Sequence, residues 1–369
     1  MIIGVPKEIK PDEHRIAMTP AGVRELVTRN HEVLVESGAG AGSSINDDAL
    51  MAAGAEIVPM ARDVFDRSEM VVKVKEPQPD EVDMLRPEQV LFTYLHLAAY
   101  PKMGRALVTS GATAIAYETV QLPSGSLPLL APMSEIAGRM AAQVGAHHLE
   151  RPHGGRGVLL GGVPGVAPAR VTVLGAGRAG TNAAMIAAGM GAEVIVLDLN
   201  VERLRQMDEL SWGHIVTVRS SVLTVEDYVS SSDLVIGAVL IPGAKAPVVV
   251  PEELIEAMRP RSVVVDISID QGGCIATAHE TTHADPTYVV HDVVHYAVGN
   301  IPGAVPNTST YALTNATMPY VVDLADGVGH AVERHPELLP GINVAGGHVT
   351  NANIGEVLGL PTADPLEVI

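Results

Sequence analysis

The feature that most constrains the fold is a glycine-rich turn between an apolar run and an alanine-rich run. Residues 169–184 read Ala-Arg-Val-Thr-Val-Leu-Gly-Ala-Gly-Arg-Ala-Gly-Thr-Asn-Ala-Ala, so that Gly175, Gly177 and Gly180 form a G-x-G-x-x-G pattern. The first glycine permits a tight turn, the second lets a pyrophosphate approach the backbone, and the third lets the helix pack closely on the strand. The pattern therefore predicts a parallel α/β domain that holds a dinucleotide at the N-terminus of a helix.

An acidic residue follows where a dinucleotide site requires one. Asp198 closes the apolar run Val194-Ile-Val-Leu-Asp, 18 residues after Gly180. A carboxylate there accepts hydrogen bonds from the ribose hydroxyls and repels a 2′-phosphate, so the sequence favours NAD over NADP. Arg203 leaves an alternative open, because its guanidinium can pair with a 2′-phosphate or lie as a solvated charge on the following helix.

Short apolar runs alternate with helical patterns along most of the chain, which is typical of parallel strands covered by helices. Strands are predicted at Ile2–Val5, His31–Glu36, Met70–Lys75, Val90–Tyr94 and Thr113–Tyr117, and, after the glycine turn, at Ala192–Leu197, Ile215–Val218, Asp233–Val239 and Ser262–Ile267. Helical patterns are predicted at Pro20–Thr28, at Asp48–Ala53, at Ser134–His147 with Ser134 as the N-cap, and at Thr308–Arg334.

We therefore predict an α/β protein with two doubly wound parallel-sheet (Rossmann-like) domains, the NAD domain inserted into the substrate domain. The first part of the substrate domain is assigned to residues 1–129, the NAD-binding domain to 130–303, and the return to the substrate domain to 304–369. The turn-rich joint Leu122–Pro128 marks the first boundary. A chain of 369 residues is long enough for two domains of ordinary size.

Charge and composition restrict the partners. The chain has 43 acidic and 24 basic residues, a formal charge of −19, and only 3% aromatic residues. A nucleic-acid-binding protein needs a basic surface and commonly stacking aromatic rings, so that class is excluded. An anionic small ligand is compatible with this charge only where a local positive site receives it.

The cysteine content and the N-terminus indicate a compartment. Cys274 is the single cysteine and cannot form an internal disulfide, and no basic segment with a cleavage site opens the chain. The longest stretch without a charged residue, Val293–Val322, is interrupted by three prolines, so we predict no membrane segment. These features predict a cytoplasmic protein without a membrane partner.

Polar residues follow several predicted strands, at the edge where ligands bind in open parallel sheets. They are Arg15, Lys75, His96 and Glu118 in the first domain, and Asp270 and Asn300 in the second. Two cations, a histidine and a carboxylate supply what a 2-oxo acid requires: carboxylate anchoring, carbonyl polarisation and proton transfer. Structural alternatives stay open, namely Arg15 as a surface arginine, Lys75 in a local pair with Glu76, His96 as a core histidine and Asp270 as a turn cap.

One segment matches a metal-binding motif without the structure that the motif needs. His279-Glu-Thr-Thr-His283 has the H-E-x-x-H spacing, which binds zinc only on a helix that places both histidines on one face. The two β-branched threonines, Asp285-Pro286 and Gly272-Gly273 argue against a helix there. We therefore predict a polar loop that flanks the active site, a structural role for Cys274, and no metal ligands.

Several motifs together carry a family resemblance. They are Gly4-Val-Pro-Lys-Glu-Ile-Lys, Glu13-His-Arg-Ile-Ala-Met-Thr-Pro, Val72-Lys-Val-Lys-Glu-Pro, Tyr94-Leu-His-Leu-Ala, Ala131-Pro-Met-Ser-Glu-Ile-Ala-Gly-Arg, Asp270-Gln-Gly-Gly-Cys and Asn300-Ile-Pro-Gly-Ala-Val-Pro-Asn-Thr-Ser-Thr. The chain resembles the alanine dehydrogenase and pyridine nucleotide transhydrogenase family almost from end to end. Within that family it is similar to the alanine dehydrogenase branch.

The resemblance implies an oxidoreductase of L-alanine catabolism. The implied reaction is the reversible oxidative deamination of L-alanine to pyruvate and ammonium, with NAD as the hydride acceptor. By position, Arg15 would bind the substrate carboxylate, Lys75 would help to bind or polarise the carbonyl, His96 would be the general acid and base, and Asp270 would assist the amine. The resemblance also implies a homo-oligomer, commonly a hexamer.

The same resemblance implies a set of residues that line the NAD site. They are Ser134, Gly175, Gly177, Arg178, Ala179, Gly180, Asp198, Arg203, Ser220, Val239, Leu240, Ile267, Asp270, Asn300 and Ile301. Family patterns usually have lysine at the position of Arg203 and methionine at that of Ile301.

Three other functions remain open at this stage. An NAD(H)-binding transhydrogenase-like subunit would pass hydride to a second dinucleotide and have no amino-acid substrate. A non-catalytic NAD sensor on the same fold would keep the glycines and Asp198 but have no need for Lys75 and His96. A lysine- or saccharopine-forming dehydrogenase would need a roomier substrate pocket.

Overall fold

Short aliphatic runs that are buried along their length form the central strands. The structure is a computed structural model that describes residues 1–239 and 246–369. Strands buried on both faces of a sheet read as continuous apolar runs rather than as alternating patterns. The strands are β1 (Ile2–Val5), β2 (Glu32–Glu36), β3 (Glu56–Val58), β4 (Met70–Val72), β5 (Val90–Thr93), β6 (Thr113–Ala116), β7 (Arg170–Leu174), β8 (Glu193–Asp198), β9 (Val216–Arg219), β10 (Leu234–Gly237), β11 (Val263–Asp266), β12 (Thr287–Val290), β13 (Val293–Tyr296), β14 (Ile342–Ala345) and β15 (His348–Val349).

The helices begin and end at residues suited to those positions. They are α1 (Pro20–Thr28), α2 (Asp47–Ala53), α3 (Ala61–Arg67), α4 (Pro79–Val82), α5 (Pro101–Ser110), α6 (Ala131–His148), α7 (Arg178–Gly189), α8 (Val201–Ser211), α9 (Val222–Ser230), α10 (Glu252–Glu256), α11 (Pro306–Ala325), α12 (Val328–Arg334), α13 (Ala352–Leu358) and α14 (Pro365–Val368). Before α2, for example, the Asn46 side chain accepts a hydrogen bond from the Ala49 amide, and Gly54 closes the helix at φ 110°.

The chain divides into two units. Unit 1 contains Met1–Met133 together with Val305–Ile369, and unit 2 contains Ser134–Ala304. The middle of the chain is therefore inserted into a unit made of the two ends. The predicted α/β class, with two Rossmann-like domains of which one is inserted into the other, is confirmed.

Unit 1 is built on an eight-stranded sheet in the order β15-β14-β6-β5-β4-β1-β2-β3. Strands β1 to β6 run parallel to one another, whereas β14 runs antiparallel to β6 and β15 antiparallel to β14. The chain order reverses at β1, which pairs with β2 on one side and β4 on the other. The carboxyl ends of β1, β4, β5 and β6 consequently lie side by side at a switch point, where ligands bind in such sheets.

Unit 2 is built on a seven-stranded sheet in the order β12-β13-β11-β10-β7-β8-β9. Its strands are parallel except for β12, which joins β13 through a tight turn at His291 and Asp292, both with positive φ. Strand β7 pairs with β8 and with β10, so this sheet also reverses its order beside the glycine turn.

Some predicted details are wrong. Helix α6 begins at Ala131, so Ser134 lies inside the helix and is not its N-cap. The strand expected at Met70–Lys75 ends at Val72, and the helix expected at Thr308–Arg334 is divided at Gly327, whose φ is 123°. The sequence also does not predict the antiparallel strands β12, β14 and β15, because nothing in a short apolar run tells the direction of its partner.

Among the helices of the described residues, none combines the length and the apolar character that crossing a lipid bilayer would require.

Candidate active site

The glycine turn of unit 2 contains three glycines with different structural roles. Gly175 has φ 102°, and a Cβ there would lie 2.6 Å from the carbonyl oxygen of Ala238. A Cβ on Gly180 would lie 1.8 Å from the carbonyl oxygen of Gly175. A Cβ on Gly177, the N-cap residue of the twelve-residue helix α7, would meet nothing within 4 Å. The fold therefore requires Gly175 and Gly180, whereas the space beside Gly177 is open to a Cβ.

This difference predicts opposite results for two alanine variants. Gly177→Ala keeps an ordinary backbone, φ −75°, and should leave thermal unfolding unchanged. It should raise the dissociation constant for NADH at least about tenfold, because losing one or two hydrogen bonds to a charged group costs about 1.5–3 kcal/mol each. Gly180→Ala should instead destabilise the fold. NADH titration and calorimetry on both variants check this, and equal NADH affinity of Gly177→Ala and wild type would contradict it.

Asp198 ends β8 and is held in a defined orientation. Its two carboxylate oxygens accept hydrogen bonds from the backbone amides of Ala176 and Asn200, both at 2.7 Å. The amide of Ser220 donates to the Asp198 carbonyl at 2.9 Å, which brings Ser220 beside it. The exposed Arg203 guanidinium lies 3.8 Å from the carboxylate. Asp198, Ser220 and Arg203 thus cluster at the carboxyl ends of β8 and β9, where a ribose would lie.

Helix α6 packs against the start of α7. A Cβ on Gly138 would lie 2.1 Å from the carbonyl oxygen of Ala179, so the two helices touch through backbone. Ser134 lies one turn before Gly138 on the same helix face, which places it towards the glycine turn. Arg178 is exposed, with its guanidinium 3.6 Å from the Glu135 carboxylate.

A second group of predicted residues follows β10, β11 and β13. The Ser268 hydroxyl donates to the Val239 carbonyl at 2.8 Å, which joins the two loops next to Ile267. The Asn300 amide donates to an Asp270 carboxylate oxygen at 3.0 Å, so Asp270 and Asn300 also meet, and Ile301 follows as a buried residue. Leu240, predicted at the cofactor site, lies outside the described residues.

Asp266 is a residue that the sequence reasoning missed. Its buried carboxylate accepts hydrogen bonds from the amides of Ser268, Cys274 and Ile275 at 2.9, 2.8 and 3.1 Å. Burial raises the pKa of Asp266, and these amides oppose that effect. The bonds hold the loop that carries Asp270. Cys274 is buried against this carboxylate, and burial raises the pKa of its thiol.

The H-E-x-x-H segment is not helical. The His279 ring stacks on Tyr288 with the ring centres 3.7 Å apart, while the His283 Nε2 lies 3.2 Å from the Asn300 carbonyl oxygen. The two histidines therefore do not share a helix face, which the zinc chemistry of this motif requires. The segment is a loop beside Asn300.

In unit 1, four predicted residues follow four adjacent strands. Arg15 comes after β1, Lys75 after β4, His96 after β5 and Glu118 after β6. The topology thus brings all four to the same edge of the sheet.

Arg15 is a buried residue with a defined partner. It is only 2% exposed, so the surface-arginine alternative is wrong. Its Nε donates to the Glu13 carboxylate at 2.7 Å, its second terminal nitrogen donates to the other oxygen, and Met133 Sδ contacts the remaining nitrogen at 3.0 Å. Burial alone would raise the pKa of Glu13, but Arg15 and Lys75 lower it to about 2. Glu13 orients the guanidinium and was not identified from the sequence.

Lys75 is also buried, and the local pair suggested for it is not observed. Glu76 pairs instead with Lys10, whose ammonium lies over the Tyr100 ring. The strand end that carries Lys75 is held by a buried triad, in which the Lys73 Nζ lies 3.0 Å from Glu8 and 2.7 Å from Glu81. The Glu8 carboxylate also accepts the amide of Val74 at 2.7 Å.

His96 is partly buried and has an unusual backbone conformation. Its φ is 50°, and its amide donates to a Glu118 oxygen at 2.6 Å. A non-glycine residue in the left-handed region is uncommon, and such residues are concentrated at functional sites. Its ring is nearly parallel to that of Tyr94, whose hydroxyl donates to the Leu129 carbonyl at 2.7 Å. Glu118 therefore positions His96 through the backbone.

Burial and the nearby positive charges set the protonation state of His96. Burial, followed by the positive charges of Lys75, Lys10 and Arg15, lowers the pKa of His96 well below its usual value. The imidazole is therefore neutral at neutral pH and can accept a proton. Burial also raises the pKa of Glu118, while the amides of His96 and Leu95 oppose that shift.

Comparison with protein families gives a match over nearly the whole chain. Residues 4–137 match the family model described as "Alanine dehydrogenase/PNT, N-terminal domain", and residues 141–352 match "Alanine dehydrogenase/PNT, C-terminal domain".

Individual proteins give the same result. The alanine dehydrogenase of Mycolicibacterium smegmatis is 54% identical over 370 residues, which covers 100% of both chains. A solved L-alanine dehydrogenase superposes with a TM-score of 0.93 at 51% identity and covers 97% of this chain and 99% of that one. A transhydrogenase structure from Sinorhizobium meliloti superposes with a TM-score of 0.81 at 25% identity, covering 95% and 99% of the two chains.

Proposed function

The chain belongs to the alanine dehydrogenase/PNT family, and we propose that it catalyses the NAD-dependent, reversible oxidative deamination of L-alanine to pyruvate and ammonium. The observation that carries this proposal is the meeting of Arg15, Lys75 and His96 at one sheet edge of unit 1. A protein that only bound NAD would have no use for two buried cations beside a neutral histidine. The greater identity to alanine dehydrogenases than to the transhydrogenase disfavours the dinucleotide-to-dinucleotide reaction.

Arg15 and Lys75 are proposed to bind the substrate carboxylate and carbonyl. Alanine and pyruvate each carry a carboxylate, and the surface of a chain with a charge of −19 repels anions. Burial leaves the charge of Lys75 poorly screened, and the ion pair with Glu13 fixes the Arg15 guanidinium for a hydrogen-bonded contact to the carboxylate. Glu13 holds the guanidinium in place, so that binding requires little reorganisation.

His96 is proposed as the general acid and base. In the direction of deamination, its neutral imidazole takes a proton from the alanine ammonium group and later from the water that attacks the iminium carbon. In the direction of amination, the protonated imidazole returns protons to the departing water and to the amine. Asp270 is proposed to assist the amine and the imine. When bound, NAD would supply the acceptor for the hydride that leaves the alanine Cα.

Unit 2 is proposed to hold NAD along its strand ends. Gly175, Gly177 and Gly180, with Arg178 and Ala179, would contact the pyrophosphate. The adenosine ribose would lie at Asp198, Arg203 and Ser220, and the nicotinamide half would be held by Ser134, Val239, Leu240, Ile267, Asp270, Asn300 and Ile301. The open space at Gly177 and the fixed carboxylate of Asp198 support this assignment.

We further propose a cytoplasmic homo-oligomer, a hexamer by family resemblance. The single, buried Cys274 is compatible with a reducing compartment. Sedimentation equilibrium tests the assembly, since a hexamer has six times the 38.6 kDa mass of the chain.

The reaction is tested by following NADH absorbance. Pyruvate together with ammonium should oxidise NADH rapidly, pyruvate alone should barely do so, and NADPH should be a poor substitute. Equal rates with and without ammonium would identify a hydroxy-acid dehydrogenase. Hydride transfer from NADH to an oxidised dinucleotide analogue, without pyruvate, would identify a transhydrogenase. A direct comparison of alanine, glycine, serine and 2-aminobutyrate then defines the amino-acid specificity.

The position of Lys10 predicts a shift in the pH profile. Its ammonium is one of the three positive charges that lower the pKa of His96, so Lys10→Met should raise that pKa. A base works only when deprotonated, so the acid limb of kcat/KM for alanine should move to higher pH. Lys102→Met, at an exposed lysine, is the matched control and should leave the limb in place. An unshifted limb in Lys10→Met would show that another group controls it.

A further inference from the structure

Three ligand-type side chains lie together on unit 2, where α6 ends. His147 is in the last turn of α6, Glu150 follows the helix, and His153 ends the short 3₁₀ turn Arg151–His153. Their ligand atoms all lie within 4.8 Å of one another. We propose that His147, Glu150 and His153 form a binding site for a divalent transition-metal ion such as Zn²⁺.

The backbone at the end of α6 brings the three residues onto one face. The Glu150 amide donates to the His147 carbonyl at 3.2 Å, and the His153 amide donates to the Glu150 carbonyl at 3.1 Å. Side chains three residues apart eclipse one another in turns with this bonding pattern, whereas an α-helix separates them around its axis. The chain passes closely behind, since a Cβ on Gly155 would lie 2.1 Å from the His148 carbonyl oxygen. The spacing becomes a cluster only because the helix tightens here.

The side chains are already near the separation that a metal ion requires. Tetrahedral bonds of about 2.0–2.2 Å to nitrogen and oxygen place neighbouring ligand atoms about 3.3–3.6 Å apart. The His153 Nε2 lies 3.8 Å from a Glu150 carboxylate oxygen, and the ring centres of His147 and His153 are 3.7 Å apart. All three side chains are exposed, so small rotations can close the remaining gaps without disturbing the core.

His148 gives an independent observation that points to a ligand. The residue is only 9% exposed, and its Nδ1 is a buried nitrogen without a hydrogen-bond partner among the described residues. Its ring centre lies 5.2 Å from that of His147 and 6.2 Å from that of His153. Buried polar atoms in folded proteins nearly always have a partner, so this nitrogen requires one. An ion bound beside these rings would supply it, directly or through a coordinated water.

The ligand types select the metal. Two imidazole nitrogens and one carboxylate oxygen suit Zn²⁺ and its neighbours in the transition series, whereas Ca²⁺ and Mg²⁺ take oxygen ligands. Three protein ligands leave room for water in the coordination sphere. The formal charge of −19 on the chain also favours the approach of a cation.

A bound ion would stabilise unit 2 rather than take part in the proposed reaction. Helix α6 packs on α7 at Gly138, and His147 comes nine residues later, about 13 Å along the helix axis at about 1.5 Å per residue. The ion would link the last turn of α6 to the turn that leads the chain towards β7. Zinc should therefore raise the thermal unfolding temperature, because it binds the folded state.

The test is Zn²⁺ binding by the untagged, chelator-treated full chain at about pH 7.5, where an ordinary imidazole is largely neutral. The reference protein carries His291→Ala and His330→Ala, two changes at exposed positions. They remove the other groups of described residues that have ligand spacing, which are Glu252, Glu256 and His291, and Asp323, Asp326 and His330. In isothermal titration with zinc chloride, this reference should bind one Zn²⁺ per chain with a micromolar dissociation constant, and zinc should raise its unfolding temperature.

Adding His153→Ala or Glu150→Gln to the reference should weaken zinc binding by at least about tenfold and abolish the thermal shift. Adding His214→Ala, at another exposed histidine, is the matched control and should change neither. In the otherwise unaltered chain, His153→Ala should lower the number of Zn²⁺ ions bound by one, so that the result does not depend on the reference protein alone. No zinc binding by the reference, or the same affinity with and without His153→Ala, would overturn the proposal.

Discussion

Replacement of His96 by asparagine is expected to lower kcat by about 10²–10⁴-fold in both directions, while NADH binding is retained. Asparagine cannot accept and return a proton near neutral pH, but it tolerates the left-handed conformation that His96 adopts at φ 50°. The amide bond from residue 96 to Glu118, which holds the loop, should therefore survive. Steady-state kinetics with pyruvate and ammonium, and with alanine, measure the effect.

The control for this experiment separates chemistry from folding. His96→Ala lacks both the base and the favourable backbone preference, so it should lose stability in addition to activity. His214→Ala, at an exposed histidine, should resemble the wild type. If His96→Asn kept more than a tenth of the wild-type kcat, His96 would not be the base. If it lost NADH binding as well, a structural role would account for the result.

The cofactor half of the protein was predictable because its signals are local. The glycines at 175, 177 and 180 act within one turn, and Asp198 follows at the end of the next strand in both sequence and structure. The consecutive strand, turn, helix and strand therefore determine the relative positions of these residues. The beginning of α6 was less predictable, because Pro132 suits the first turn of a helix as well as Ser134 suits an N-cap.

The support of the substrate half depends on contacts between distant parts of the chain. Lys73 meets Glu8 and Glu81 beneath the sheet edge, and the loop carrying Arg15 is held by a bond from the Ile16 amide to Thr310 at 3.1 Å. The last pair is separated by 294 residues. No periodicity encodes such a pairing, since it arises only when the two ends of the chain form one unit. The rule that ligands bind beyond the carboxyl ends of parallel strands predicted which residues lie at the same sheet edge. It did not predict the contacts that hold those residues in place.

The second large effect is expected for Glu13→Gln, which removes the carboxylate that pairs with Arg15. Breaking a buried ion pair by neutralising one partner costs about 3–5 kcal/mol, because the other charge remains buried. We expect a loss of that size in the free energy of unfolding, together with a raised KM for pyruvate, since the guanidinium is no longer held in place. Denaturant unfolding and steady-state kinetics measure the two effects.

The chain offers a matched control and a pH test for this pair. Arg67 and Glu56 form the same two-bond contact at 2.7 Å, but on the surface, so Glu56→Gln should cost far less stability and leave KM unchanged. The pKa of Glu13 is lowered to about 2, below that of an unfolded glutamate near 4.3. The pair's contribution is therefore fully present above the unfolded value and lost only as the pH falls towards 2. The stability difference between wild type and Glu13→Gln should consequently stay constant from about pH 8 to about pH 5. A difference that disappeared within that range would show that Glu13 is protonated in the native protein and that Arg15 is held by other contacts.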